Sequence, residues 1–132
     1  MNKMLKILIV DDNPRFIQAL KSTIEEVLST IQIRIDAAYT GEEGLAQVKK
    51  ENYDFIFMDI NMPGIGGISA IKQVDRDYYR TKTKIIAVSF HNEIEFVQQV
   101  LSAGARKYFV KDELDYQTLE ELFKPELSRN YH

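Results

Sequence analysis

Four short runs in this chain are apolar at every position: Ile7-Leu8-Ile9-Val10, Phe55-Ile56-Phe57-Met58, Ile85-Ile86-Ala87-Val88 and Tyr108-Phe109-Val110. Each is too short for a helix and leaves no face for water, so it reads as a central strand of a parallel sheet covered on both sides. A fifth run alternates, with Ile31, Ile33, Ile35 and Ala37 separated by Gln32, Arg34 and Asp36. One face of that strand is wetter, which places it near an edge. Between the runs apolar residues recur at helical spacing. Phe16, Leu20, Ile24, Val27 and Leu28 share one stripe, Leu45 and Val48 a second, Ile68, Ile71 and Val74 a third. Ile94, Val97, Val100 and Leu101 form a fourth stripe, and Leu119, Leu122 and Phe123 a last helix. Pro125 ends that helix, because it pushes Lys124 away from the helical region.

The pattern is strand then helix, five times. Parallel strands joined by right-handed helical crossovers give a three-layer α/β domain, and an edge position for the second strand gives the doubly wound order 2-1-3-4-5. A chain of 132 residues fits one domain. We place that domain at residues 1–124, with 125–132 as a tail or the start of a linker. Hydrophobic residues make up 45 % and charged residues 28 %, which argues against disorder. Seventeen basic residues against 20 acidic ones leave a net charge of −3, so direct nucleic-acid or acidic-lipid binding is not expected. The absence of cysteine excludes disulfides, thiolate metal sites and thiol nucleophiles. No apolar run approaches the roughly 20 residues that span a bilayer, and the first residues show no cleavage pattern. The expected setting is the cytoplasm, with no membrane contact.

In such sheets ligands sit outside the carboxyl ends of the strands. Asp11-Asp12-Asn13-Pro14 follows the first strand, Asp59-Ile60-Asn61 the third, Ser89 the fourth and Lys111 the fifth. The first turn also reads as a plain helix start, with Asp or Asn as cap and Pro in the first turn. Asp54 precedes the third strand, about 16 Å from Asp59 at the rise of an extended chain, and reads as a solvated residue at the opposite edge. Crowded carboxylates resist ionising unless a cation compensates them. Oxygen-only donors favour a hard ion, and Mg²⁺ suits a few carboxylates plus water and a phosphate. Lys111 can then take a phosphoryl oxygen, Ser89 can donate to another, and one carboxylate can act as the nucleophile. No Gly-rich phosphate loop follows the first strand, so nucleotide readings fail, and Gly66-Gly67 reads as a turn with positive φ.

These parts together resemble the receiver domain of two-component response regulators. The resemblance rests on Ile9-Val10-Asp11-Asp12, Met58-Asp59-Ile60-Asn61-Met62-Pro63-Gly64, Val88-Ser89 and Ala103-Gly104-Ala105-Arg106-Lys107-Tyr108-Phe109-Val110-Lys111. Met62-Pro63-Gly64-Ile65-Gly66-Gly67 and Ser89-Phe90-His91 give it the flavour of the NarL/LuxR type. It implies a flavodoxin-like fold and a signalling switch rather than a turnover enzyme. Asp59 would be the phosphoacceptor, supplied by a phosphohistidine of a sensor histidine kinase or phosphotransfer protein. Asp12 and Asp59 would bind Mg²⁺ with the Asn61 backbone carbonyl, and Asp11 would act through water. Lys111 would contact the phosphoryl group, Ser89 would be the switch hydroxyl and Tyr108 the aromatic that follows it, with core packing as its other reading.

The implied output is a changed surface around the fourth helix, fifth strand and fifth helix, with Phe96, Val97 and Tyr116 as contact candidates. A homodimer formed on phosphorylation and a DNA-binding effector domain outside this chain belong to the same implication. In the family a proline in a cis bond usually follows the lysine, where this chain has Asp112. A cis bond without proline costs about 3 kcal/mol, which leaves that geometry open. Phe90 and His91 are expected to gate water at the mouth of the site, against the alternative that they belong to the packing and start of the fourth helix. Two rival functions remain: an aspartyl-phosphate phosphohydrolase of the haloacid dehalogenase kind, and a pseudo-receiver that binds a partner without phosphorylation.

Overall fold

A computed structural model describes residues 4–62, 66–78, 82–90 and 94–129, with backbone alone for 76–78 and 94–96. The five strands are β1 (Leu5–Val10), β2 (Ile33–Ala38), β3 (Phe55–Asp59), β4 (Lys84–Ser89) and β5 (Lys107–Val110). Helices α1 (Pro14–Val27), α2 (Gly41–Lys50), α3 (Gly67–Tyr78) and α4 (Ile94–Ser102) alternate with them. After β5 come a 3₁₀ turn at Lys111–Glu113, then α5 (Tyr116–Leu122) and α6 (Lys124–Arg129). All strand pairs are parallel, in the order β2-β1-β3-β4-β5. Among the described residues no helix is long and apolar enough to cross a membrane.

The alternation of side chains along each strand divides the core into two layers. Ile7, Ile9, Phe55, Phe57, Ile86 and Val88 face α1 and α5, where Ile17, Leu20, Ile24, Leu119 and Phe123 meet them. Leu8, Val10, Ile56, Met58, Ile85 and Ala87 face α2, α3 and α4, where Val48, Ala70, Ile71, Val74 and Val100 fill the space. Burial on both faces is why β1, β3 and β4 read as unbroken apolar runs; the run at Tyr108–Val110, expected to be central, is instead the other edge of the sheet and only half-buried. Phe123 closes the first layer with its ring edge-on to Phe55, centroids 4.8 Å apart. β2 lies at the sheet edge, half-buried along most of its length.

Three local expectations change. The helix α5 ends at Leu122, and Lys124 opens a further short helix instead of leaving the helical region. Pro125 sits in the first turn of α6, where its missing N–H has no helical partner to lose. Glu126 anchors this helix: it is buried and accepts from Lys84 Nζ at 3.1 Å and Arg129 at 2.8 Å. Asp54 is not merely solvated, because its Oδ2 accepts the Lys6 N–H at 2.8 Å and ties β1 to the start of β3.

Gly67 is in a helix and not in a left-handed turn; among the described glycines only Gly104 has a positive φ, at 125°. What Gly67 supplies is closeness. A Cβ there would lie 2.3 Å from the Ile60 Cα and 2.4 Å from the Asp59 carbonyl oxygen, both backbone atoms that cannot step aside. A Cβ on Gly66 would meet nothing within 4 Å. Gly67→Ala is therefore expected to lower the unfolding free energy by about 1–3 kcal/mol, as overpacking does. Gly66→Ala should stay within about 0.5 kcal/mol of the parent, and urea denaturation of the two variants side by side checks both.

Candidate functional site

Four strand ends build the site. The Asp11 N–H donates to the Ala38 carbonyl at 3.0 Å, which fixes this residue where β1 and β2 finish together. Its Oδ1 accepts the Asn13 N–H at 2.8 Å, and Asp59 Oδ1 accepts the Asn61 N–H at 3.0 Å. The two acids thus share one device, an aspartate that turns the chain by accepting the N–H two residues on. Asn13 in turn caps α1, its side-chain oxygen accepting from the N–H groups of Arg15 and Phe16. Ser89 ends β4 and is buried; its hydroxyl donates to Asn61 Oδ1 at 2.6 Å. Lys111 follows β5 and turns back into the cluster.

Asp11, Asp12 and Asp59 each bring a carboxylate oxygen within 4.8 Å of the others. Asp11 and Asp59 are buried, and Asp12 is exposed. The Lys111 ammonium lies 2.7 Å from Asp11 Oδ2 and 3.5 Å from Asp59 Oδ2, with its side chain only 4 % exposed. Two aromatic rings lie against the same ammonium: Phe16 at 4.4 Å and Phe90 at 4.7 Å from ring centroid to Nζ. Phe90 is itself 62 % exposed. Oxygen donors alone, three of them carboxylates, make a set that fits a hard divalent cation such as Mg²⁺.

The structure therefore brings together Asp11, Asp12, Asp59, Asn61, Ser89 and Lys111, and leaves Asp54 at the far edge of the sheet. Phe90 stands over Lys111, while His91 lies outside the described residues. Tyr108 pairs with Ala87 across the sheet and packs, partly buried, on the core layer toward α2–α4. No described peptide bond is cis, so Lys111–Asp112 is trans, as the cost of a cis bond without proline requires. Two features escaped the sequence reading. Phe16 lies on the apolar stripe of α1 as expected, half-buried against the core, and its ring also lies against Lys111, which the stripe does not foretell. At 100° per residue Phe16 falls about 20° from Val27, at the border of the buried stripe, and that border position is the available signal. The Ser89–Asn61 bond had no sequence signal at all.

Burial pushes the Asp59 carboxyl above its ordinary value, against the lowering effect of the Asn61 N–H; Asp11 raises it further, Lys111 lowers it and Asp12 raises it. An acid with a raised folded-state pKa binds its proton more tightly folded than unfolded. Its contribution is complete below the ordinary carboxylate pKa and is lost as pH rises through the raised one. In a chelator-treated sample, stability should thus fall across that window, and Asp59→Asn should remove the fall. Urea midpoints for both chains at a series of pH values check this.

The sequence profile of the response regulator receiver domain matches residues 7–124. The transcriptional regulatory protein DegU of Brevibacillus brevis is 31 % identical over 123 residues, covering 91 % of this chain and 49 % of that protein. The response regulator UvrY of Escherichia coli is 30 % identical over 108 residues, covering 82 % of this chain and 48 % of its own. This chain spans about half the length of these relatives. Among solved structures, the chemotaxis protein CheY4 of Vibrio cholerae superposes with a TM-score of 0.78 at 27 % identity, covering 93 % of this chain and 98 % of that one. With the sheet order, the acidic cluster and the profile in agreement, this chain belongs to the response regulator receiver domains, alongside relatives of the NarL/LuxR type.

Proposed function

We propose that Asp59 accepts a phosphoryl group from a phosphohistidine on a sensor histidine kinase or phosphotransfer protein. The observation that carries this reading is the buried Asp59 carboxylate at the end of β3, set among Asp11, Asp12 and Lys111. A carboxylate oxygen of Asp59 attacks phosphorus, the P–N bond to the donor imidazole breaks, and its electron pair leaves with the imidazole nitrogen, which takes up a proton. Asp12 and Asp59, with the Asn61 backbone carbonyl, would hold Mg²⁺, and Asp11 would act on it through water. The ion supplies charge neutralisation for the phosphoryl oxygens. Lys111 gives a further positive charge as a compact ammonium, already within reach of Asp59.

Ser89 is the hydroxyl that reports the new group. To donate to a phosphoryl oxygen it must leave Asn61, and Tyr108, its neighbour strand's aromatic, follows. The face built by α4, β5 and α5 changes as a result, with Val97 half-buried and Tyr116 exposed on it as contact residues; the side chain of Phe96 lies outside the described residues. The partner on that face is a protein: an effector domain outside this chain or a second copy.

Asp59→Asn is expected to abolish Mg²⁺-dependent labelling by acetyl phosphate while keeping the fold. Intact-mass measurement reads the result, and undiminished labelling in the variant would overturn the assignment. Continuous phosphate release by the parent chain would point to a hydrolase, and no adduct at all to a binding module. Phe90 is proposed as the gate over this site, since water must reach the phosphorus in line to remove the group. Phe90→Ala should then shorten the half-life of phosphorylated Asp59 with Mg²⁺ present. An equal or longer half-life would return Phe90 to a packing role.

A further inference from the structure

We propose that Phe16 is a positioning residue for Lys111, forming with Phe90 a two-ringed aromatic seat for the ammonium that meets the phosphoryl group; this rests on the reading of Asp59 as acceptor. The two rings come from separate elements, the first turn of α1 and the residue after β4, and lie 4.4 and 4.7 Å from the same nitrogen. The ammonium is nearly shut off from water, at 4 % side-chain exposure, so it has given up most of its hydration. Asp11 and Asp59 replace part of that shell with charge. The negative faces of the two rings replace another part, and such contacts strengthen as the cation is desolvated.

A ring differs from a carboxylate in what it leaves free. It attracts the ammonium without accepting a directed hydrogen bond, so Lys111 can shift from Asp11 towards an incoming oxygen without breaking a contact to either phenyl group. Phe16 packs against the edge of the core layer under α1, and backbone contacts near the site hold it as well. The Asn13 backbone N–H binds Asp11, and the Asn13 side chain accepts the Phe16 N–H at 3.4 Å. One residue thereby sets both the carboxylate that pairs with Lys111 and the ring that lies against it.

Beryllofluoride with Mg²⁺ serves as the phosphoryl probe. Phe16→Leu keeps apolar bulk and removes the ring; it should weaken beryllofluoride binding about five- to thirtyfold, the range from a partly to a fully desolvated cation–π contact. Phe16→Tyr should restore binding to within about twofold of the parent, because the ring face is retained. In a Lys111→Met background Phe16→Leu should cost nothing more, whereas a purely structural role predicts the same loss there. Without beryllofluoride, the Lys111 Hε proton resonances of the parent should be shifted upfield by the rings and should move downfield in Phe16→Leu. Unchanged resonances, parent-like affinity in Phe16→Leu, or a loss that persists without Lys111 would each overturn the proposal. If the parent chain binds no beryllofluoride, the acceptor reading falls, and the Lys111 resonances still decide whether the seat exists.

Discussion

The carboxyl edge of this sheet gathers three acids within a few ångströms, and two of them are buried, so the edge is tenable only because Lys111 brings an ammonium in among them. Removing one partner of such a group leaves an uncompensated charge out of water, which is far costlier than the pair is favourable. The parallel topology makes the arrangement available. Each crossover returns the chain so that every strand ends on the same side, and the turns at Asp11, Asp59, Ser89 and Lys111 meet there. Compensation is partial, however. Lys111 lies nearer Asp11 than Asp59, and Asp59 keeps a raised affinity for a proton. Burial is the larger cause of that raised affinity, and the three carboxylates form an oxygen donor set that fits a hard cation.

Position and chemistry are divided between residue types. Backbone N–H groups of Asn13 and Asn61 hold the two buried acids by the same short turn, so neither depends on a long side chain for its placement. Gly67 lets α3 start directly against the backbone at Asp59 and Ile60. The Ser89 hydroxyl, buried at the end of β4, donates to the Asn61 side-chain oxygen across the same edge.

Much of this was legible because the sheet imposes a simple code. Runs such as Ile7–Val10 and Phe55–Met58 are apolar at each position when both faces are covered, and the alternation around Ile33 and Ile35 marks β2 as the edge. The strand ends then named Asp11, Asp12, Asp59, Ser89 and Lys111 without any structure. What the sequence hid depends on angles and contacts that no spacing encodes. Phe16 belongs to the stripe of α1 and packs against the core, but nothing in that spacing says that its ring also lies against Lys111. Gly67 reads as a turn glycine until the backbone of Ile60 is seen beside it. Lys124 before Pro125 looks like an ending, but the pull of Lys84 on the buried Glu126 rewards another turn of helix.

The edge strand β2 has a consequence for how copies of this domain can meet. Its Arg34 pairs with Asp36 beside it and with Glu51 after α2, and Asp36 also accepts the Tyr53 hydroxyl at 2.6 Å. A neighbouring strand adding to this rim would have to lie along a row of charges already engaged with one another. Such rims are poor templates, and natural sheets use them to avoid growing edge to edge. The other rim, β5, is only four residues long. A charged rim at one side and an abbreviated strand at the other make this sheet a poor template for edge-to-edge growth, so any contact between copies is favoured on the helical surfaces.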